Sequence, residues 1–124
     1  MTDRRIRTLI VEDEFLIAES LKTQLQVIGC EVCGVADTAD KAVELALKHD
    51  PGIIMMDVRL AGDRDGVEAA VAINKLMSSQ IIFVTGSREP ETIARIAAQG
   101  HAAATLFKPV PFLQLQRTIQ AMWN

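Results

Sequence analysis

Ile53-Ile54-Met55-Met56-Asp57 carries four large apolar residues in unbroken succession into an aspartate. A short continuous apolar run fits a strand buried on both faces, as in a parallel sheet covered by helices. A carboxylate at its end stands where the strand leaves the core, at the rim where open α/β sheets bind ligands. Leu9-Ile10-Val11 is a second such run, and it too ends in acids, Glu12-Asp13-Glu14.

Outward from these two runs, strand and helix patterns alternate along the whole chain. Residues 6–11 form the first expected strand, with Arg7 and Thr8 at its wetter start. From Glu14 to about Gly29, Ile17, Leu21, Leu25 and Ile28 recur at helical spacing, and Gly29 is a suitable stop. A strand at 31–36 follows, then Asp37-Thr38, suited to capping. The next helix, Ala39 to His49, places Ala42, Val43, Ala46 and Leu47 inward, and Asp50-Pro51-Gly52 turns the chain into the strand at 53–57. After a polar loop from Arg59 to Asp65, Asp65-Gly66-Val67-Glu68 opens a helix as a capping box would. That helix runs through Val67, Ala70, Val71 and Asn74 to about Met77. Ile81-Ile82-Phe83-Val84 is a fourth buried strand, ending at Thr85-Gly86-Ser87. A helix opens near Pro90 and closes at Gly100. A fifth strand spans Ala103 to Phe107, Lys108-Pro109 follows, and a last helix runs from about Pro111 to Trp123 on an inner face of Phe112, Leu115, Ile119 and Met122.

Five strand–helix alternations predict one α/β domain, a five-stranded parallel sheet with five helices on two faces. Short right-handed crossovers favour the flavodoxin-like order 2-1-3-4-5, which makes the first and third strands neighbours. The 124 residues are one domain's worth, enough to bury about two-thirds of the unfolded surface. A formal charge of −3 gives no electrostatic case for nucleic acid or a membrane surface. No apolar run approaches the roughly 20 residues of a membrane helix. The basic start Met1-Thr2-Asp3-Arg4-Arg5 precedes a run that stops at Glu12, shorter than a signal peptide demands, so the expected location is cytoplasmic. Cys30 and Cys33 form a lone C-x-x-C, with His49 and His101 isolated from it. On a strand such cysteines point to opposite faces, so they read as small buried apolar groups rather than zinc ligands.

Parallel strands share one rim at their C-terminal ends. The first brings Glu12 and Asp13 there, the third Asp57, the fourth Thr85 and Ser87, and the fifth Lys108. Clustered carboxylates repel one another and demand a proton or a cation. Carboxylate oxygens with room for water suit Mg²⁺. A phosphoryl group fits the same pocket, its charge neutralised by the metal and Lys108 and its oxygens open to the Thr85 hydroxyl. Singly, each residue has an ordinary role, as a helix-starting acid, a turn or a solvated lysine. Their coincidence at one end of successive strands is what carries the chemistry.

That set resembles the response-regulator receiver domain, the CheY-like phosphoacceptor of two-component signalling, over essentially the whole chain. The matching pieces are Val11-Glu12-Asp13, Asp57, Asp65-Gly66, Thr85-Gly86 and Lys108-Pro109. The resemblance implies that Asp57 accepts a phosphoryl group from a histidine kinase or histidine phosphotransferase as an acyl phosphate. It implies Mg²⁺ bound by Asp13, Asp57 and the backbone carbonyl of Arg59, with Glu12 acting through water. Lys108 would contact the phosphoryl group, Thr85 would move toward it, and the bond before Pro109 would be cis. Phe83-Val84-Thr85-Gly86 is similar to the signature of the FAT GUY receivers. Two features depart from the usual family pattern. Thr105 stands where a switch aromatic is common, and the loop from Val58 to Asp65 lacks a common proline and has an extra residue.

The chain ends with its fifth helix at Asn124, so the expectation is a stand-alone receiver over 1–124 with no output domain. It would signal through the face of the fourth helix, fifth strand and fifth helix, where Ala94, Ala97, Ala98, Ala102, Ala103 and Ala104 would permit small shifts. It would catalyse only its own phosphorylation and dephosphorylation, and so not be an enzyme in the ordinary sense. A weak homodimer through the fourth and fifth helices is compatible with the pattern, but no residue specifies it. A flavodoxin-like electron carrier is a rival; it needs a hydroxyl- and glycine-rich first loop where this chain has Glu12-Asp13-Glu14. A small metal-dependent phosphohydrolase is another, for which the short loops offer little substrate pocket.

Overall fold

The structure, a computed structural model, describes residues 5–100 and 102–123, with the side chain of Trp123 left out. His101, the start Met1 to Arg4 and Asn124 lie outside the described residues. Ten elements alternate along the chain: β1 (Arg7–Val11), α1 (Phe15–Ile28), β2 (Glu31–Ala36), α2 (Ala39–His49), β3 (Ile53–Asp57), α3 (Gly66–Asn74), β4 (Gln80–Thr85), α4 (Pro90–Ala98), β5 (Ala102–Phe107) and α5 (Phe112–Trp123). All strand pairs are parallel, and the order is β2-β1-β3-β4-β5, as the alternating pattern leads one to expect.

The unbroken apolar runs are buried on both faces because the pleat sends alternate side chains into two separate cores. Leu9, Val11, Ile54, Met56, Ile81 and Phe83 pack under the small residues of α2 and α3, with Ile96 of α4. Ile10, Met55, Ile82 and Val84 pack under Ala18, Leu21 and Leu25 of α1 and Leu115 and Ile119 of α5. Each of the large side chains among these contributes about 1.5–3 kcal/mol by leaving water. Cys33 lies against the first cluster and Cys30 in the second, both free thiols pushed up in pKa by burial.

Helix ends follow local chemistry. Gly29 closes α1 with φ +111°, a left-handed position that glycine adopts without strain. Thr38 caps α2 by accepting from the Lys41 N–H at 3.0 Å. Asp65 and Glu68 complete a reciprocal capping box on α3.

Some expectations are corrected. Thr8 is fully buried rather than wet, because β1 lies between β2 and β3. Leu47, expected inward, is exposed at 56%, since the small residues Ala42 and Ala46 take the sheet-facing positions and bring α2 close. Ala94, Ala97 and Ala98 are exposed, and Ile96 is the buried residue of α4 among those described. They therefore loosen no packed interface; α4 simply rests lightly on the sheet.

Candidate functional site

The sheet register assembles the site. Val11 pairs with Met56, so the next residues, Glu12 and Asp57, emerge side by side. Asp57 pairs with Val84 and Thr85 with Phe107, which sets Lys108 just beyond Thr85. A bond from the Lys108 N–H to the Thr85 carbonyl at 2.9 Å extends that pairing one residue past the strand. The Lys108–Pro109 peptide is cis.

Glu12 and Asp57 are buried, and the Lys108 ammonium donates to both, at 2.7 Å to Glu12 Oε1 and 3.0 Å to Asp57 Oδ2. Two buried carboxylates against one ammonium leave the group one negative charge in excess. Burial pushes the Asp57 carboxyl up to about 6; the hydrogen bond from Lys108 opposes this and the charge of Glu12 adds to it. Burial pulls the lysine's pKa down, but its bonds to Glu12 and Asp57 together outweigh that and leave it raised.

Carboxylate oxygens of Glu12, Asp13 and Asp57 lie within 4.8 Å of one another. This all-oxygen set suits a hard divalent cation, and the exposure of Asp13 leaves room for the waters Mg²⁺ retains. Glu12 already has both oxygens engaged, one by Lys108 and one by the Glu14 N–H at 3.1 Å. Asp13 and Asp57 are therefore the residues with oxygens to spare, and Glu12 is set back from direct ligation.

The site opens into a cavity of about 710 Å³ whose wall includes Asp13, Asp57, Arg59, Thr85, Arg88 and Lys108. Asp13, Asp57, Arg59, Thr85, Ser87 and Lys108 thus border one cavity, and Glu12 is tied to it through the Lys108 ammonium. Thr85 is buried, its hydroxyl accepting from the Ser87 N–H at 3.1 Å. Ser87 in turn donates to the Thr92 hydroxyl at 3.3 Å and accepts from the Glu89 N–H, tying the β4–α4 loop to the first turn of α4. Thr105 pairs with Phe83, two residues before Phe107, the register partner of Thr85.

Sequence reasoning missed three features here. Gly66 packs so tightly on the acceptor strand that a Cβ would come within 1.8 Å of the Asp57 carbonyl oxygen. Arg95 of α4 forms a two-pronged ion pair with Asp65, at 2.7 and 3.2 Å. Arg88 lies over the Phe107 ring, 4.2 Å from its centroid. The glycine after a capping aspartate was the one available signal for the first; the others are contacts between segments far apart in sequence.

Residues 8–120 match the sequence profile of the response regulator receiver domain. The transcriptional regulatory protein PdtaR of Mycobacterium tuberculosis is 36% identical over 114 residues, covering 92% of this chain and 55% of PdtaR. The phyllosphere-induced regulator PhyR of Methylorubrum extorquens is 36% identical over 88 residues, covering 70% of this chain and 33% of PhyR. This chain spans about half the length of PdtaR and a third of PhyR. Among solved structures, the signal receiver domain of a modulated diguanylate cyclase from Desulfovibrio desulfuricans G20 superposes with a TM-score of 0.88 at 36% identity. That match covers 95% of this chain and 93% of the other.

Proposed function

This chain belongs to the response regulator receiver domain family, and from that premise we propose that it accepts a phosphoryl group on Asp57 in a two-component phosphorelay. The observation that carries the reading is the Lys108 ammonium bonded at once to Glu12 and Asp57, beside an acid trio that suits Mg²⁺. Lys108 engages Asp57 Oδ2, and Asp57 lines the cavity, so the carboxylate is both held and approachable.

An Asp57 oxygen attacks the phosphorus of a phosphohistidine. The phosphorus–nitrogen bond breaks, and the imidazole leaves with the electron pair and takes up a proton. Water later attacks the same phosphorus and returns the carboxylate and inorganic phosphate. Asp13 and Asp57, with the Arg59 carbonyl, would hold a magnesium ion, which would supply positive charge against the phosphoryl oxygens. Lys108 supplies the protein's own neutralising charge, and Thr85, which lines the same cavity, has a hydroxyl able to donate to a phosphoryl oxygen. The chain acts only on its own acyl phosphate in this scheme, and the acidic first loop argues against a flavin phosphate.

The donor is a histidine kinase or histidine phosphotransferase. Next to the site, Phe15 and Leu16 stand 74% and 79% exposed at the start of α1. Leu16 and Lys108 also line an apolar groove with Val84 and Pro109. Apolar side chains left in water beside an acceptor suit a protein donor better than a small diffusing one. The output face is α4, β5 and α5, where α4 is the most lightly seated helix.

The test is intact-protein mass spectrometry after incubation with a small-molecule phosphodonor and Mg²⁺. Wild type is expected to gain one phosphoryl group and Asp57→Asn none. No gain by wild type, or equal gain by the variant, overturns the assignment.

A further inference from the structure

The cavity beside Asp57 holds a cation that phosphoryl transfer as described leaves idle. Arg88 lines it from the β4–α4 loop, three residues after Thr85. Among the described residues no carboxylate forms an ion pair with this guanidinium. It lies instead over Phe107, 4.2 Å from the ring centroid, a contact that is weak at an exposed site. Lys108, by contrast, is committed to Glu12 and Asp57 before any phosphoryl group arrives. Arg59 also borders the cavity, but it has no comparable ring contact among those described.

A phosphoryl group brings more negative charge and more acceptor oxygens than the carboxylate it modifies. A guanidinium meets such a group with paired, charge-assisted hydrogen bonds, which outcompete stacking on a ring. We infer that Arg88 is a phosphoryl-reading residue, leaving the Phe107 ring for the anionic group on Asp57 and thereby uncovering that ring on the edge strand. This rests on Asp57 being the acceptor.

The placement of Phe107 gives the movement an outlet. β5 is an edge strand, Phe107 is half-buried on it, and its register partner is Thr85. One aromatic residue is therefore paired with Thr85 of the cavity and covered by Arg88, which lines that cavity. Thr105 lies two positions earlier on β5, the same strand face by alternation, and has no ring to uncover. Arg88 and Phe107 supply an aromatic readout at the next position along that face.

The test follows Phe107 ring proton signals, assigned by their loss in Phe107→Leu. Protein is treated with phosphoramidate and Mg²⁺, and the same samples are weighed intact. In wild type the ring signals are expected to move when the phosphoryl group is gained. In Arg88→Ala they are expected to be displaced already and to move no further, while the acyl phosphate decays several-fold faster. Arg88→Lys, which keeps the charge without the planar fork, is expected to restore part of that lifetime. Arg88 is exposed on a loop, and circular dichroism checks that both variants keep the fold. Phosphorylated wild type with unmoved ring signals overturns the Arg88 inference alone. So does Arg88→Ala with wild-type ring movement and wild-type lifetime. Wild type that gains no phosphoryl group overturns the acceptor reading and this inference with it.

Discussion

Replacing Asp57 by asparagine is expected to stabilise the metal-free fold, and the gain follows from the charge count at the site. Glu12 and Asp57 share one ammonium, and burial lifts the Asp57 pKa from the ordinary 3.8 to about 6. At about 1.4 kcal/mol for each pH unit, ionising Asp57 in the fold costs about 3 kcal/mol at neutral pH. A carboxyl whose folded pKa lies above its unfolded value holds its proton more tightly in the native state. Its favourable contribution is complete below about pH 4 and is lost as pH rises through about 6. Asparagine removes the charge but accepts a weaker bond from Lys108, so the expected gain is about 2 kcal/mol at about pH 8. Urea unfolding followed by circular dichroism, in chelator, measures it. The gap between variant and wild type should shrink toward about pH 5, where Asp57 itself takes up a proton. Mg²⁺ should stabilise wild type, by about 1.4 kcal/mol at tenfold excess over its dissociation constant, and the variant by less. A variant no more stable than wild type at the higher pH, or a gap that does not change with pH, would refute the reasoning.

Other substitutions probe the same construction. Lys108→Met strands two buried carboxylates and is expected to cost about 3 kcal/mol at about pH 8, less at about pH 5, by urea unfolding. Gly66→Ala forces a Cβ against the Asp57 carbonyl and is expected to cost at least about 3 kcal/mol in the same assay, because backbone cannot give way as a flexible side chain can. Asp65→Ala removes the α3 cap, worth about 1 kcal/mol. Its partly exposed pair with Arg95 adds about a few tenths of a kcal/mol. Burial raises the Asp65 pKa, but Arg95 and the helix N–H groups outweigh it and leave it lowered, so this residue's contribution is present at neutral pH and is lost on acidification in wild type.

The fold was legible where burial is symmetric. Ile53 to Met56 has no polar face to hide, so two flanking helix layers follow directly from it. Strand order required knowledge of how such sheets assemble; no single residue names Val11 and Met56 as partners. Helix faces were less legible where small and large apolar residues compete. Leu47 has the hydrophobicity of a core residue, yet alanines beside it allow closer approach and take the buried positions. At the site, the types and rim placement of Glu12, Asp13, Asp57, Thr85 and Lys108 were readable from strand ends. The double engagement of Lys108 was not, because it depends on distances between segments 96 and 51 residues apart. The closeness of Gly66 to Asp57 and the stacking of Arg88 on Phe107 are likewise products of packing.

Locating the modified carboxylate tests the central claim most directly. Protein treated with a small-molecule phosphodonor and Mg²⁺ is reduced with borohydride, which converts an acyl phosphate to the alcohol with loss of phosphate, and the peptides are sequenced by mass spectrometry. Homoserine at position 57 alone, absent when Mg²⁺ is chelated, is the expected result. Homoserine at position 13, or an unmodified peptide spanning Ile53 to Asp57 after full treatment, would contradict it.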